Sequence, residues 1–332
     1  MFGKSPAQSD FPISATGTMT VKYTTAEVDA SYIAADSLAR KRMPHLYRVA
    51  RLFEDQDRFR AFCAVYASMR WVDDEVDEGR MTPAGLASWE DTVKCVFEGD
   101  AGDASYGPAL VHTLNRYAFP QEPWQNLGLA MKYDLDHKGF PSYSDFVNYA
   151  QGATVAPAAV FATLLLMRPN ADGFKPALPY GQIRDAVRPA AVACYETHIL
   201  RDAKEDLREG RNYFPQDELA TYKLQNVTAV DSGWQPYLRS FALRVRGGWS
   251  RAMSEMKKIE SPMTPRERLM LHLLVEFYGH SLEKIIRQNC NVWSDAHWPE
   301  PEEVAQLLAR IGAQHEPDVD LSALAVRVIE DV

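Results

Sequence analysis

Two short acidic clusters are the residues of this 332-residue chain best suited to chemistry. Asp73-Asp74-Glu75-Val76-Asp77 closes one apolar helical pattern, and Arg201-Asp202-Ala203-Lys204-Glu205-Asp206 closes another. Within each cluster two aspartates stand four residues apart: Asp73 with Asp77, and Asp202 with Asp206. On a helix that spacing puts both carboxylates on one face, ~6 Å or one turn apart. The arrangement is unfavourable on two counts. Like charges repel at that distance, and a helix C-terminus is already the negative end of the macrodipole. Divalent cations between the carboxylates remove both penalties. Magnesium fits best, because it takes oxygen ligands, keeps several waters and bridges one or two carboxylates to substrate phosphate. Two such helices facing each other would hold a diphosphate through bridging metals and let it depart as a leaving group.

The elements that must position these clusters are helical. From Asp57 to Val76, the residues Phe59, Phe62, Cys63, Tyr66, Met69 and Val72 recur at three-to-four spacing, the period of an amphipathic helix. Segments 83–98, 107–117, 143–167, 181–208, 235–258, 264–292 and 301–312 have comparable patterns or length. Breaks are expected at Phe119-Pro120-Gln121-Glu122-Pro123, Arg168-Pro169-Asn170 and Glu260-Ser261-Pro262. No alternating β-branched runs, phosphate-loop glycines or fixed-period repeats appear. An all-α chain follows, with a flexible N-terminal tail over 1–22, one helical domain over 23–315 and a C-terminal tail over 316–332.

Composition narrows the function. Lys and Arg number 36 against 45 Asp and Glu, a net charge of −9, whereas a nucleic-acid binder needs a basic footprint. The cysteines Cys63, Cys95, Cys194 and Cys290 form no zinc or redox spacing. The start, MFGKSPAQSD, lacks a signal-peptide apolar run. Residues 146–167 are uncharged but carry Asn148, Gln151, Thr154 and Pro157, a core helix rather than a bilayer span. A cytoplasmic protein without an integral membrane anchor is expected. His272 and His280 have no carboxylate at zinc-ligand spacing and read as structural.

The second cluster belongs to a longer string. Residues 199–219, ILRDAKEDLREGRNYFPQDEL, closely resemble the R-D-x-x-x-D-x-x-x-G-R-x-Y-x-P signature of the squalene/phytoene synthase family, the head-to-head isoprenyl diphosphate synthases. Arg201, Asp202, Asp206, Gly210, Arg211, Tyr213 and Pro215 all fall on it. Tyr66 to Asp77 resembles the family's Y-A-x-x-R-x-x-D-D-x-x-D, and Asp134-Leu135 with Phe146-Val147-Asn148-Tyr149 looks like the segment leading to its active-site tyrosine. The likeness runs from about Tyr47 to about Tyr278. It implies an isoprenoid-synthase fold around a central cavity, with a hydrophobic channel for prenyl tails. By position, Asp73, Asp77, Asp202 and Asp206 would bind two or three Mg2+ ions and the diphosphate, assisted by Asp74 and Glu75. Arg70, Arg201 and Arg211 would contact the diphosphate, with Tyr213 beside them. Tyr66 and Tyr149 would lie near the reacting carbons, where a ring face stabilises a cation and a hydroxyl passes a proton. Tyr278 falls near a further tyrosine of the family cavity.

Four departures from the family pattern are informative. The diphosphate-binding S-x-S-F segment is replaced by Met43-Pro44-His45-Leu46-Tyr47, leaving His45 as a substitute donor. Tyr149 is kept, but the glycines that follow it in relatives become Ala153-Thr154-Val155-Ala156-Pro157-Ala158, with only Gly152 in the stretch. The family's Q-x-x-N becomes Tyr195-Glu196-Thr197-His198, which exchanges two positions. An imidazole is a poorer partner than an amide oxygen for a hard cation. The metal-binding aspartates survive, whereas the positions that serve a second prenyl diphosphate have changed. That points to an enzyme of secondary metabolism passing an allylic cation to another nucleophile. Squalene-synthase-like enzymes that prenylate aromatic acceptors such as carbazoles are compatible with it. Tyr195, Glu196 and Tyr278 would line the acceptor pocket, with His198 or Glu196 as base. The competing readings are ordinary head-to-head condensation of two prenyl diphosphates and a non-catalytic helical assembly protein. NADPH is not expected.

Overall fold

The computed structural model describes residues 22–42, 44–136, 139–224, 232–292, 299–317, 320 and 324. The apolar period around Phe62 becomes α3, Gln56–Asp77, which the Asp55 carboxylate caps by accepting the Asp57 N–H at 2.9 Å. Before it come α1, Thr25–Arg42, and α2, Pro44–Ala50; after it come α4, Pro83–Phe97, α5, Gly107–Arg116, and α6, Glu122–Asp134. Next are α7, Tyr143–Ala150, and α8, Ala156–Leu165, followed by a hairpin of β1, Met167–Asn170, and β2, Gly173–Pro176. The longest helix is α9, Tyr180–Arg208; then α10, Gln216–Thr221, α11, Gln235–Met256, α12, Pro265–Arg287, and α13, Pro301–His315. α9 packs against α8, α11 and α12, and α3 against α1, α5 and α6, so both acidic helix ends emerge from one apolar core.

The predicted helices all form, most of them within two residues of the expected bounds. α12 is the shortest against expectation: it stops at Arg287, and Asn289 and Cys290 adopt left-handed backbone, with φ of 58° and 55°. The single helix expected over 143–167 is divided. Between α7 and α8 lies a five-residue π-helical turn, Gln151–Val155, in which the Ala156 N–H reaches back to the Gln151 carbonyl. Pro157 has no N–H to offer the carbonyl four residues earlier, and a widened turn accommodates that loss. The break expected at Arg168-Pro169-Asn170 is instead β1, paired antiparallel with β2 from Met167↔Pro176 to Asn170↔Gly173. Four helices lie outside the expected segments: α1, α2, α6 and α10. α1 buries only Ser31, Tyr32, Ala35 and Ala39, residues too small or polar for a clear stripe. α6 begins inside the expected proline break, because Pro123 occupies its first turn, where no N–H partner is needed.

Residues 1–21 lie outside the described set, as do most of 316–332. Of the described residues there, the Glu316 carboxylate accepts from Arg266, and Leu324 is buried.

Gly152 lets the π-turn touch α6. A Cβ there would sit well inside contact distance of the Asn126 carbonyl oxygen and 2.8 Å from the Ala130 Cβ. Because both neighbours are helix backbone or a stub attached to it, they cannot swing aside. Gly152→Ala should lower stability by about 1–3 kcal/mol, measured as the midpoint of chemical denaturation. An unchanged midpoint would mean that α6 and the π-turn separate freely.

Candidate active site

The C-terminal turns of α3 and α9 meet across a cavity of about 490 Å³. Asp73 and Asp77 line it from α3, and Asp202, Glu205 and Asp206 from α9. Three cations stand among them: Arg42, Arg70 and Arg211. Arg70, one turn before Asp74, binds Asp73 at 2.6 Å and Asp74 at 2.5 Å, with Asp77 at 3.8 Å. Gly210 follows the end of α9 with φ +82°, the left-handed position that terminates helices and favours glycine. The chain therefore turns back, so that the Arg211 amide donates to the Asp206 main-chain carbonyl at 2.8 Å and its guanidinium to the Asp206 carboxylate at 3.1 Å.

Burial of so many carboxylates together has a cost that the pKa values record. Burial pushes Asp73 up to about 6 against the pull of Arg70, and Asp206 up to about 6 against Arg211. Asp77 is raised as well, again chiefly by burial. Asp202 is the exception. Burial opposes its charge, but hydrogen bonds from Arg201, at 2.5 Å, and from His198 Nε2, at 2.8 Å, hold it well below the usual carboxylate range.

Two carboxylates per side, hard oxygen donors and an excess of negative charge suit Mg2+. Among the described residues no three His, Cys, Asp or Glu side chains converge closely enough to hold an ion unaided. That also fits a magnesium ion, which binds by one or two carboxylates and completes its shell from substrate phosphate and water.

Beside the acidic floor stands a wall of tyrosines. The Tyr149 hydroxyl donates to Asp134 Oδ2 at 2.7 Å and lies 3.3 Å from the Tyr195 hydroxyl. Tyr195 is stacked parallel on Phe146 with centroids 6.0 Å apart, and Tyr213 closes the group 6.3 Å from Tyr149. Tyr66 stacks on Phe62 at 5.7 Å, and its buried hydroxyl has no hydrogen-bond partner among the described residues. Tyr278 lines the cavity too. The remaining walls are apolar, from Val65, Met69, Leu127, Val160, Phe161, Leu164 and Leu274.

Most of the residues singled out in the sequence thus gather here: Tyr66, Arg70, Asp73, Asp77, Tyr149, Tyr195, His198, Asp202, Asp206, Arg211, Tyr213 and Tyr278 all line one cavity. Five do not. Asp74 is buried between Arg42, at 2.8 Å, and Arg70, and Glu75 pairs with Arg80 outside the cavity. Arg201 does not line it and acts through Asp202. His45 packs edge to face on Phe277 at 5.9 Å, and burial, with Arg48 and Arg201, lowers its pKa to about 4. Its neighbour Leu46 faces the cavity instead. Glu196 is corrected most clearly. Residues 195, 198 and 202 share one helix face, and position 196 is turned from it. Its carboxylate is buried 3.5 Å from Arg244, which in turn binds Glu218 at 2.5 Å. Arg42 and Asp134 are the additions. A basic run at the end of α1, Arg40-Lys41-Arg42, was the available signal for the first.

The squalene/phytoene synthase family model matches residues 39–302, most of the chain. The chain belongs to the squalene/phytoene synthase family. Within that family it is 25% identical to phytoene synthase 1 of Solanum lycopersicum over 222 residues, 65% of this chain and 52% of that one. It is 28% identical to a phytoene synthase of Narcissus pseudonarcissus over 209 residues, 60% and 48% of the two chains. The chain therefore spans about half the length of these relatives. Its fold is that of a ligand-bound dehydrosqualene synthase (TM-score 0.74, 18% identity, 87% of this chain and 98% of that one). It also matches a squalene synthase of Alicyclobacillus acidocaldarius (TM-score 0.67, 21% identity, 81% and 97%). The all-α isoprenoid-synthase fold expected for the family is the one observed. None of the described helices is long and apolar enough to cross a membrane.

Asp134 gives this site a pH signature. Burial raises its pKa from 3.8 to about 8 in the folded protein, outweighing the Tyr149 hydrogen bond. Between those values unfolding releases a proton, so stability falls as pH rises from about 4 to about 8 and then levels off. Asp134→Asn keeps an acceptor for Tyr149 and removes the titration. It should reduce the loss of stability across that range by about 5 kcal/mol, read by denaturant titration at several pH values. An unchanged slope would show that Asp134 is already ionised at neutral pH.

Proposed function

We propose that this protein is a Mg2+-dependent prenyltransferase that ionises an allylic prenyl diphosphate and passes the prenyl carbon to a carbon nucleophile. The observation that carries this reading is the cavity itself: four aspartates from two helix ends and three arginines at one end, apolar side chains at the other. Asp73 and Asp77 on one side and Asp202 and Asp206 on the other would hold two or three Mg2+ ions, whose charge stabilises departing diphosphate. Arg70 and Arg211 orient and neutralise the same group, as each already binds an aspartate of the pair. The C1–O bond breaks with its electron pair leaving on the diphosphate. The allylic cation then lies against tyrosine faces, whose quadrupoles favour a cation, in a cavity from which apolar walls exclude water. A π-bond of the acceptor supplies the electrons for the new C–C bond, and the acceptor loses a proton. We assign that proton to His198: with Nε2–H donating to Asp202, Nδ1 carries the lone pair.

For the acceptor we favour a flat aromatic molecule such as a carbazole over a second prenyl diphosphate. Leu46 lines the cavity and His45 does not, so the α2 side presents hydrocarbon where a second diphosphate would need donors. Tyr195, held flat against Phe146, offers a stacking surface nearby. The second reading is head-to-head condensation, of squalene or phytoene type. The kinship with phytoene synthases supports it, as do both intact aspartate pairs. A non-catalytic helical assembly role does not account for four aspartates kept in one cavity.

Asp73→Ala and Asp202→Ala should each reduce Mg2+-dependent pyrophosphate release by at least about a hundredfold, with the helical circular-dichroism spectrum preserved. Full activity in both variants overturns the mechanism. Product analysis with prenyl diphosphate, with and without an aromatic acceptor, separates the two chemistries. A prenylated aromatic product supports the first; a hydrocarbon formed from the diphosphate alone establishes head-to-head condensation.

A further inference from the structure

Arg244 stands on α11, outside the cavity, and its guanidinium reaches two carboxylates. One nitrogen lies 2.5 Å from Glu218 on α10, and another lies 3.5 Å from buried Glu196 on α9. The Tyr143 and Phe241 rings each lie 4.5 Å from the same group, within cation–π range. The Tyr143 hydroxyl donates to Glu196, and the Tyr237 hydroxyl donates to Glu218 at 3.1 Å. Each carboxylate is tied closely to a cavity tyrosine. Glu196 follows Tyr195 directly on α9, rotated from it by ~100°, so a tether on Glu196 fixes the direction in which Tyr195 faces. Glu218 is five residues past Tyr213, and Phe214 between them is buried against Trp234, Tyr237 and Phe241. Tyr195 and Tyr213 line the cavity edge to face, with ring centroids 6.4 Å apart. A guanidinium is a planar fork of fixed geometry. One rigid group outside the cavity therefore holds together the two segments that carry these rings.

We infer that Arg244 is a positioning residue: by tying Glu196 to Glu218 it sets the gap between Tyr195 and Tyr213 and keeps water from the allylic cation. This rests on the cavity forming that cation, as proposed above. A wider gap opens one specific side reaction. A lone pair of a water oxygen forms a C1–O bond, the extra proton passes to solvent, and the donor leaves as a prenyl alcohol. Ionisation is the work of the cavity's aspartates and arginines, and Arg244 pairs with none of them. Arg244 thus acts on the fate of the cation and not on its formation.

The test incubates the full-length protein with Mg2+ and geranyl, farnesyl or geranylgeranyl diphosphate, with and without carbazole. Pyrophosphate, prenyl alcohol and coupled product are measured together. Arg244→Lys keeps a positive charge beside Glu196 but offers a single ammonium in place of the fork. It should leave kcat and KM for pyrophosphate release within about twofold, and raise the ratio of alcohol to coupled product about tenfold. Glu218→Gln should raise that ratio similarly, and the double variant should add little, because both changes break one bridge. Each ratio is taken within one protein, so partial loss of folded enzyme leaves it unchanged. A purely structural role would lower pyrophosphate release and leave the ratio alone. Glu218→Gln carries the test if the lysine variant does not fold. An unchanged ratio in the folded variants, or a wild type that yields alcohol alone, overturns the positioning role and leaves the donor reading standing. No Mg2+-dependent pyrophosphate release by wild-type protein from any of the three overturns the donor reading together with it.

Discussion

Repulsion among buried carboxylates governs this structure. Two helices end with paired aspartates facing one cavity, where the helix dipoles are unfavourable to anions and water is scarce. The protein holds the arrangement by interleaving arginines. Arg70 spans Asp73 and Asp74, Arg211 holds Asp206, Arg201 holds Asp202, and Arg42 ties Asp74 to the end of α1. Those pairs fix the helix ends in place but do not cancel the charge, as the raised values of Asp73, Asp77 and Asp206 record. The remaining imbalance is what a divalent cation and its diphosphate would relieve, so the electrostatic tension in the cavity and its proposed chemistry have one origin.

The rest of the fold serves this arrangement. α9 runs through the core, carries Tyr195, His198, Asp202 and Asp206 on its cavity side, and delivers Glu196 to a separate network with Arg244 and Glu218. That network joins α9 to α10 and α11, anchoring the segment that follows the Gly210 turn. The π-turn between α7 and α8 has a similar use. It lets Tyr149 meet Asp134 and Tyr195 while the residues after it, from Ala153 to Leu164, continue the cavity wall.

Much of this was legible in the sequence because the informative features are local. The D-x-x-x-D pairs follow from helix geometry, Arg70 and Gly210 from the resemblance to the family's motif strings, and most helices show a three-to-four period. What was missed depends on contacts between distant segments. Whether Glu196 or Tyr195 faces the cavity is decided by a rotation of about 100° on the same helix, and both are compatible with the local pattern. His45 and Leu46 exchange roles for the same reason. Arg42 and Asp134 enter the site only because α1 and α6 pack beside α3, and neither helix announced itself: one buries small residues, the other starts at a proline.

Under the proposed chemistry, paired rather than clustered aspartates facing arginines would give the cavity the character of a coincidence gate. A lone cation finds too few protein ligands to settle, and a lone diphosphate meets net negative charge. Each supplies what the other lacks, so under the proposed chemistry only their joint arrival organises the cavity. Under that chemistry the cavity would be inert toward either species by itself and would develop a reactive carbocation only once donor and metal are enclosed.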